Sequence, residues 1–197
     1  MEFDLKRANL LPKDGTAIYY GPIFRADEAL TYHSHLLENI AWKSDETIIF
    51  GRRLVTARKV AWYGDQPYVY RYSGGTKTAL QWTNELHNLK NIVEAHLKTK
   101  FNSCLLNLYH TGREGIGWHS DDETVLGSTP TIASLSLGAE RKFSFRHKAT
   151  KEIVSIFLEN GSLLVMSGIT QAYWQHSLPK TQRVNSSRIS LTFRTII

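Results

Sequence analysis

Residues 131–166 read T-I-A-S-L-S-L-G-A-E-R-K-F-S-F-R-H-K-A-T-K-E-I-V-S-I-F-L-E-N-G-S-L-L-V-M, a run of short apolar or alternating segments separated by turn-forming and charged residues. A period of two is typical of strands that bury one face. Because no helical segment interrupts this run, it favours a jelly-roll or cupin-like double sheet. We predict strands at 131–137, 141–146, 153–158 and 162–166.

Upstream of this run the pattern becomes helical in two places. Apolar residues recur at helical spacing over 26–39 and again over 78–98, and an edge strand is predicted at 16–20. No linker, internal repeat or low-complexity tract divides the chain. We therefore predict one α+β, mainly β domain over 1–197, with a jelly roll at about 102–197 and two helices that cover one outer face of the larger sheet.

Composition fits a globular protein that works inside the cell. The chain has 197 residues, is 42% hydrophobic, and contains neither a membrane-spanning segment nor an apolar run of signal-peptide type near its N-terminus. Its single cysteine, Cys104, fits a reducing compartment and is interpreted as a small buried residue. The net charge of +6 favours a polyanionic partner. We predict a monomer without membrane association, cytoplasmic in a bacterium or nuclear in a eukaryote.

A candidate metal site lies just before the strand run. Gly115 to Glu123 read G-I-G-W-H-S-D-D-E, which places His119 and Asp121 two residues apart. Residues i and i+2 of an extended segment point to the same face, so both can bind one metal ion. His176 can complete the two-histidine, one-carboxylate triad of non-haem Fe(II) oxygenases. An H-x-D pair also arises by chance, and the alternative interpretation is a solvated turn.

Two arginines downstream share the polar face of one alternating strand, R-I-S-L-T-F-R, from Arg188 to Arg194. A planar guanidinium suits bidentate binding of a dicarboxylate. Upstream, Asn107 and Tyr109 in L-L-N-L-Y share one face of another strand and can offer an amide and a phenol to the same ligand. Taken singly, each is also explained as an ordinary polar strand residue.

These motifs occur in a characteristic order: N-x-Y, H-x-D, S-L-S-L-G, G-S-L-L-V-M, W-x-H-S-L-P and R-x-x-x-x-x-R. This order closely resembles the AlkB family of Fe(II)- and 2-oxoglutarate-dependent dioxygenases. The resemblance extends from about Thr47 to the C-terminus and includes A-R-K-V-A-W-Y-G-D and P-Y-V-Y-R-Y-S-G. It is strongest to the nucleic-acid dealkylating subgroup that contains the human homologues two and three.

The resemblance implies a double-stranded β-helix and a reaction. That reaction is oxidative demethylation of N-alkylated bases such as 1-methyladenine and 3-methylcytosine in DNA, or RNA, with O2 and 2-oxoglutarate consumed. The products are the repaired base, an aldehyde, succinate and CO2. By the same resemblance, His119, Asp121 and His176 hold Fe(II) as the catalytic centre.

The resemblance also implies how 2-oxoglutarate binds. Arg188, helped by Tyr109, grips the carboxylate far from the iron. Asn107 and Arg194 lie near the end that chelates iron.

The substrate side is predicted at about 45–75, as nucleotide-recognition hairpins. In P-Y-V-Y-R-Y the tyrosines alternate, and a ring face can stack on an extruded base. The resemblance assigns Tyr70 and Tyr72 to the lesion pocket, with the base between Tyr72 and His119 and with Glu123 near its polar edge. The base must leave a duplex to reach such a pocket. From the pattern alone, a packed aromatic strand face is the alternative.

Phe50 precedes Gly51 and two arginines and is predicted to enter a base stack from a hairpin tip, while Arg52, Arg53, Arg58 and Lys59 hold phosphates. The alternative is a core phenylalanine beside a solvated basic turn. Preference between single and double strands stays open, as does DNA versus RNA.

Two other functions are compatible with the motifs. One is an oxygenase of the same fold that acts on protein side chains or small molecules. The other is a cupin-like binding module without catalysis, which the presence of every predicted metal ligand disfavours.

Overall fold

The fold is that of a computed structural model, which describes residues 8–49, 52–72 and 75–197. Its described helices are α1 (Ala26–Asn39), α2 (Asn84–Leu97) and α3 (Thr170–Tyr173). Its described strands are β1 (Thr16–Pro22), β2 (Lys43–Ile49), β3 (Arg52–Gly64), β4 (Val69–Tyr72), β5 (Gly75–Thr78), β6 (Leu80–Gln81), β7 (Ser103–Tyr109), β8 (Ile116–His119), β9 (Ile132–Gly138), β10 (Arg141–His147), β11 (Ile153–Leu158), β12 (Ser162–Ser167), β13 (Trp174–Leu178) and β14 (Arg188–Arg194).

The described strands form two main sheets and one separate hairpin. The larger sheet has the order β1-β12-β9-β14-β7-β3-β2, with β6 parallel beside β3. The second sheet has the order β11-β10-β13-β8, and β4 pairs with β5. All neighbours along the two ordered paths are antiparallel. The predicted double sheet is therefore confirmed, and β1 lies at an edge as predicted.

Strand β14 divides the interior into a helix side and a cavity side. Ile189, Leu191 and Phe193 are fully buried against the side chains of α1 and α2. Because side chains alternate along a strand, Arg188 and Arg194 point away from the helices, toward the second sheet. The predicted covering helices on one face of the larger sheet are thus confirmed.

A second apolar cluster fills the space between the sheets. Phe143, Phe145 and Trp174 of the second sheet pack there with Ile132 and Met166 of the larger sheet. These packed side chains hold the two sheets together, and some of them, such as Phe143 and Met166, also line the cavity that remains between the sheets.

The start of α2 corrects the sequence prediction. The helix begins at Asn84 rather than near 78, because the hydroxyl of Thr83 caps it by accepting a hydrogen bond from the Leu86 amide at 3.2 Å. The segment before it pairs as β5 and β6. Leu80, which falls inside the helical segment predicted over 78–98, is instead an exposed residue of β6.

Two further outcomes concern single elements. The four-residue helix α3 was not predicted, because one turn is too short to show a helical period. Cys104 is fully buried, as predicted, and burial raises the pKa of its thiol.

Among the helices of the described ranges, none has the length and apolar character that crossing a membrane needs.

The predicted recognition region contains two antiparallel hairpins, β2 with β3 and β4 with β5. The β2–β3 register shifts between Ser44 and Glu46, which leaves Asp45 at an irregularity of the strand. Phe50 and Gly51 lie outside the described residues. The nucleotide-binding role of these hairpins stays a prediction.

Candidate active site

A cavity of about 370 Å³ lies between the two sheets and extends to the β2–β3 and β4–β5 hairpins. It collects side chains from β7, β9 and β14 of the larger sheet and from β8 and β13 of the second. Of the predicted site residues whose side chains the structure describes, all but Lys59 line it: Arg58, Asn107, Tyr109, His119, Asp121, Glu123, His176, Arg188 and Arg194.

The three predicted metal ligands meet at one side of this cavity. His119 ends β8 and pairs with His176 of β13, and Asp121 follows two residues later. The Nε2 atoms of His119 and His176 lie 3.9 and 4.0 Å from Asp121 Oδ1. One donor atom from each residue lies within 4.8 Å of the others, which fits a site for one metal ion.

Neighbouring polar groups orient these ligands. His119 Nδ1 donates to the Gly117 carbonyl at 2.8 Å, which leaves the Nε2 lone pair directed toward Asp121. Arg194 Nη2 donates to Asp121 Oδ2 at 2.8 Å, so Oδ1 is the carboxylate oxygen that faces the imidazoles. The Asp121 amide donates to Gln171 Oε1 at 2.9 Å, which fixes the backbone of the motif.

Electrostatics favour the protonation states that bind a divalent cation. Burial lowers the pKa of His176 to about 4, although Asp121 opposes the shift, so His176 is neutral at pH 7. Burial alone would raise the pKa of Asp121. The charge of Arg194, with smaller contributions from the two histidines when they are protonated, outweighs it and holds that pKa below its usual value. A neutral imidazole and an ionised carboxylate are the ligand forms that Fe(II) takes up, so the donor set fits iron.

Arg188 is a buried cation at another part of the same cavity. It is 2% exposed, and Nη2 donates to Ser136 Oγ at 2.8 Å. The ring of Tyr109 lies 5.8 Å from its Cζ, and the buried Nε has no hydrogen-bond partner among the described residues. Burial lowers the pKa of Arg188 to about 10, so the group is still protonated at pH 7. A buried cation that forms no ion pair with a described carboxylate fits an anionic ligand such as 2-oxoglutarate.

Arg58 contacts Asn107 in the cavity wall. Arg58 Nη1 donates to Asn107 Oδ1 at 2.6 Å, and Nη2 donates to Asp45 Oδ2. Lys77 Nζ donates to the other oxygen of Asp45 at 2.6 Å. The guanidinium of Arg58 is thus engaged within the protein, and its contact with nucleic acid stays a prediction.

Glu123 offers a carboxylate oxygen to the cavity. Oε1 lies 3.6 Å from Arg194 Nη1, whereas the buried Oε2 has no hydrogen-bond partner among the described residues. The side chains of Tyr70 and Tyr72 lie outside the described part of the structure, so their assignment to the lesion pocket stays a prediction.

Sequence reasoning missed several cavity residues. Trp62 stacks on Tyr68 with ring centroids 6.5 Å apart, and both line the cavity. The alternation of β3 could have found Trp62, since it shares one face with Arg58. Asp45 and Lys77 carried no such signal, because a strand irregularity and a separate hairpin bring them together.

Comparison with known proteins agrees with this geometry. The 2OG-Fe(II) oxygenase superfamily matches residues 16–194. Human alpha-ketoglutarate-dependent dioxygenase alkB homolog 3 is 39% identical over 174 residues, 82% of this chain and 59% of that protein. The mouse DNA oxidative demethylase ALKBH2 is 41% identical over 157 residues, 76% of this chain and 66% of that protein. The chain spans between 57% and 62% of the length of the mammalian alkB homolog 3 proteins that it matches.

Solved structures support the fold. The structure of OsALKBH1 superimposes with a TM-score of 0.61 at 12% identity, over 94% of this chain and 98% of that one. An oxidoreductase of the 2OG-Fe(II) oxygenase family from Burkholderia pseudomallei gives a TM-score of 0.59 at 15% identity, over 92% of this chain and 84% of that one. The family match over residues 16–194 and the identity to AlkB homologues confirm the resemblance read from the motifs, and the chain belongs to the 2OG-Fe(II) oxygenase superfamily.

Proposed function

We propose that this chain is a dioxygenase that removes N-alkyl groups from bases of DNA, or RNA, by oxidation. The observation that carries the proposal is the placement, in one cavity, of the His119, Asp121 and His176 donors and the buried cation Arg188. The names of its relatives, a dioxygenase in human and a DNA oxidative demethylase in mouse, support the same reaction.

The three ligands would hold Fe(II), and the bound iron would supply O2-dependent oxidation coupled to decarboxylation of 2-oxoglutarate. One oxygen atom of O2 is incorporated into succinate and the other into the alkyl carbon, whose hydroxylated form leaves as an aldehyde. Arg188, which is 2% exposed, would neutralise one carboxylate of 2-oxoglutarate. Arg194 keeps Asp121 oriented by binding its second oxygen.

The cavity favours a base that carries a positive charge. Glu123 Oε2 is a buried acceptor without a hydrogen-bond partner among the described residues, and the amino group of a flipped base can supply the donor. Tyr70 and Tyr72, whose side chains lie outside the described part of the structure, stay the predicted aromatic residues of the pocket, and an aromatic ring face attracts a cationic base. These features support 1-methyladenine and 3-methylcytosine as substrates.

The proposal is tested by supplying Fe(II), 2-oxoglutarate and an oligonucleotide with one 1-methyladenine, beside the same oligonucleotide unmodified. We expect formaldehyde and repaired adenine in equal amounts, and succinate formation stimulated only by the methylated strand. If the methylated strand does not stimulate turnover of 2-oxoglutarate, the result would instead favour an oxygenase that acts on proteins or small molecules. Absence of turnover with every substrate would favour a binding module.

A further inference from the structure

Asp45 lies in the cavity wall, opposite a bulge of β3. Between the pairs Ser44–Lys59 and Glu46–Val55, β2 has the single residue Asp45, whereas β3 has three residues, 56–58, so the bulge lies in β3 and includes Arg58. Such bulges redirect a side chain and are frequent beside active sites. The Asp45 side chain is 16% exposed and lines the cavity.

One carboxylate joins two cations from different hairpins. Asp45 Oδ2 accepts from Arg58 of β3, and Oδ1 accepts from Lys77 of β5 at 2.6 Å. Arg58 and Lys77 are 13% and 29% exposed at their side chains, so the three charges are shielded from bulk water. Their attraction is therefore stronger than that of a surface ion pair.

Arg58 in turn determines which way Asn107 faces. A guanidinium has only hydrogen-bond donors, so the Asn107 atom that it contacts at 2.6 Å must be the amide oxygen. The amide nitrogen of Asn107 consequently points away from Arg58. This nitrogen makes no hydrogen bond to the described part of the chain, although Asn107 is only 8% exposed. Because Asn107 lines the cavity, the acceptor for this donor can come from a bound ligand.

We propose that Asp45 is a positioning residue for the co-substrate. By holding Arg58, it keeps the Asn107 amide nitrogen directed at a carboxylate of 2-oxoglutarate. By binding Lys77, the Asp45 carboxylate also connects the β4–β5 hairpin, on the substrate side, to Arg58. The inference rests on the proposed function and adds to it a link between the hairpin and co-substrate binding.

The test is Asp45→Asn, which keeps the shape of the side chain and removes its charge. The affinity for 2-oxoglutarate is measured by calorimetry on protein loaded with Mn(II), which holds the co-substrate without turnover. Two effects of this substitution change the affinity for 2-oxoglutarate in opposite directions. Removing a negative charge near a dianion would tighten binding if charge alone mattered, whereas loss of Asn107 orientation weakens it. We expect binding about tenfold weaker, as when outer-shell residues of metal sites are removed.

Asp65→Asn is the matched control. Asp65 also binds a lysine, Lys90, at 3.2 Å, but it does not line the cavity. The same charge is lost there, and we expect unchanged affinity for 2-oxoglutarate.

A double-mutant cycle identifies Asn107 as the intermediary. If Asp45 acts through Asn107, adding Asp45→Asn to Asn107→Ala weakens binding by less than twofold beyond Asn107→Ala alone. Should Asp45→Asn fail to fold, Arg58→Met breaks the same link and takes its place in the cycle. Tighter or unchanged binding in the single variant, or fully additive losses in the cycle, would overturn the inference alone. Absence of 2-oxoglutarate binding by the unsubstituted protein would overturn the proposed function as well.

Discussion

Replacing Arg188 by methionine should weaken the co-substrate site and leave the fold intact or stabilised. Arg188 is 2% exposed, and burial lowers its pKa to about 10, well below the ordinary value of an arginine side chain. A shift of this size corresponds to a cost of burying the charge on the order of 3 kcal/mol. Methionine avoids that cost and keeps most of the packing. It forfeits the hydrogen bond to Ser136, worth about 1 kcal/mol.

The net change favours the folded state of the protein without co-substrate by about 2 kcal/mol. For a domain of this size, each kcal/mol moves the melting temperature by about 2 to 4 °C, so we expect a rise of several degrees. The affinity for 2-oxoglutarate, in contrast, should fall. Loss of two hydrogen bonds between charged groups, each worth about 1.5 to 3 kcal/mol, weakens it at least about 100-fold.

Arg141→Met is the matched control. Arg141 is also 2% exposed, but its guanidinium donates to backbone carbonyls of four described residues at 2.9 to 3.4 Å. Its removal leaves buried acceptors without donors, so the melting temperature should fall. Thermal unfolding followed by circular dichroism and calorimetric titration of 2-oxoglutarate check both variants. The reasoning is refuted if Arg188→Met melts as low as Arg141→Met, or if it binds 2-oxoglutarate normally.

Three further outcomes are expected. The folded pKa of His176, about 4, lies below its unfolded value near 6.5. The metal-free protein should therefore lose about 2 kcal/mol of unfolding free energy between pH 7 and pH 5 through this group, and the loss should be smaller in His176→Gln when measured by urea denaturation. Because N6-methyladenine is uncharged, it should be demethylated more slowly than 1-methyladenine. Glu123→Gln should reduce the difference between these two demethylation rates. Equal rates of the unsubstituted protein on both bases, measured by mass spectrometry, would count against the proposed pocket. Phe50, outside the described residues, should matter for duplex substrates. Phe50→Ala should slow repair of double-stranded DNA more than repair of single-stranded DNA. Equal losses of activity on both would favour the interpretation of Phe50 as a core residue.

Local periodicity was sufficient to predict the main elements of the fold. In β14 the apolar residues Ile189, Leu191 and Phe193 alternate with polar ones, and burial on a single face forces that alternation. The start of α2 could not be predicted in the same way. Leu80 fits a helical stripe as well as a strand, and the choice depends on the partner that β3 offers to β6.

In the site, too, residues close together in the sequence could be predicted, whereas contacts between distant positions could not. His119 and Asp121 are two residues apart, and the family motifs identified His176, so the metal ligands were predicted from the sequence. The contact between Arg58 and Asn107 joins positions 49 residues apart, and Asp45 reaches it through a strand irregularity. Contacts of this kind depend on strand register, which a single sequence does not specify. The monomeric state and the intracellular location stay predictions.

The most direct test of the account compares two neighbouring aspartates. Asp121 is buried beside both histidines, whereas the Asp122 side chain is 67% exposed and lies 3.8 Å from Lys148. With Fe(II), 2-oxoglutarate and a 1-methyladenine oligonucleotide, the unsubstituted protein and Asp122→Ala should release succinate and formaldehyde, and Asp121→Ala should release neither. Full activity of Asp121→Ala with iron, or equal loss in both variants, would contradict the assignment of the metal centre.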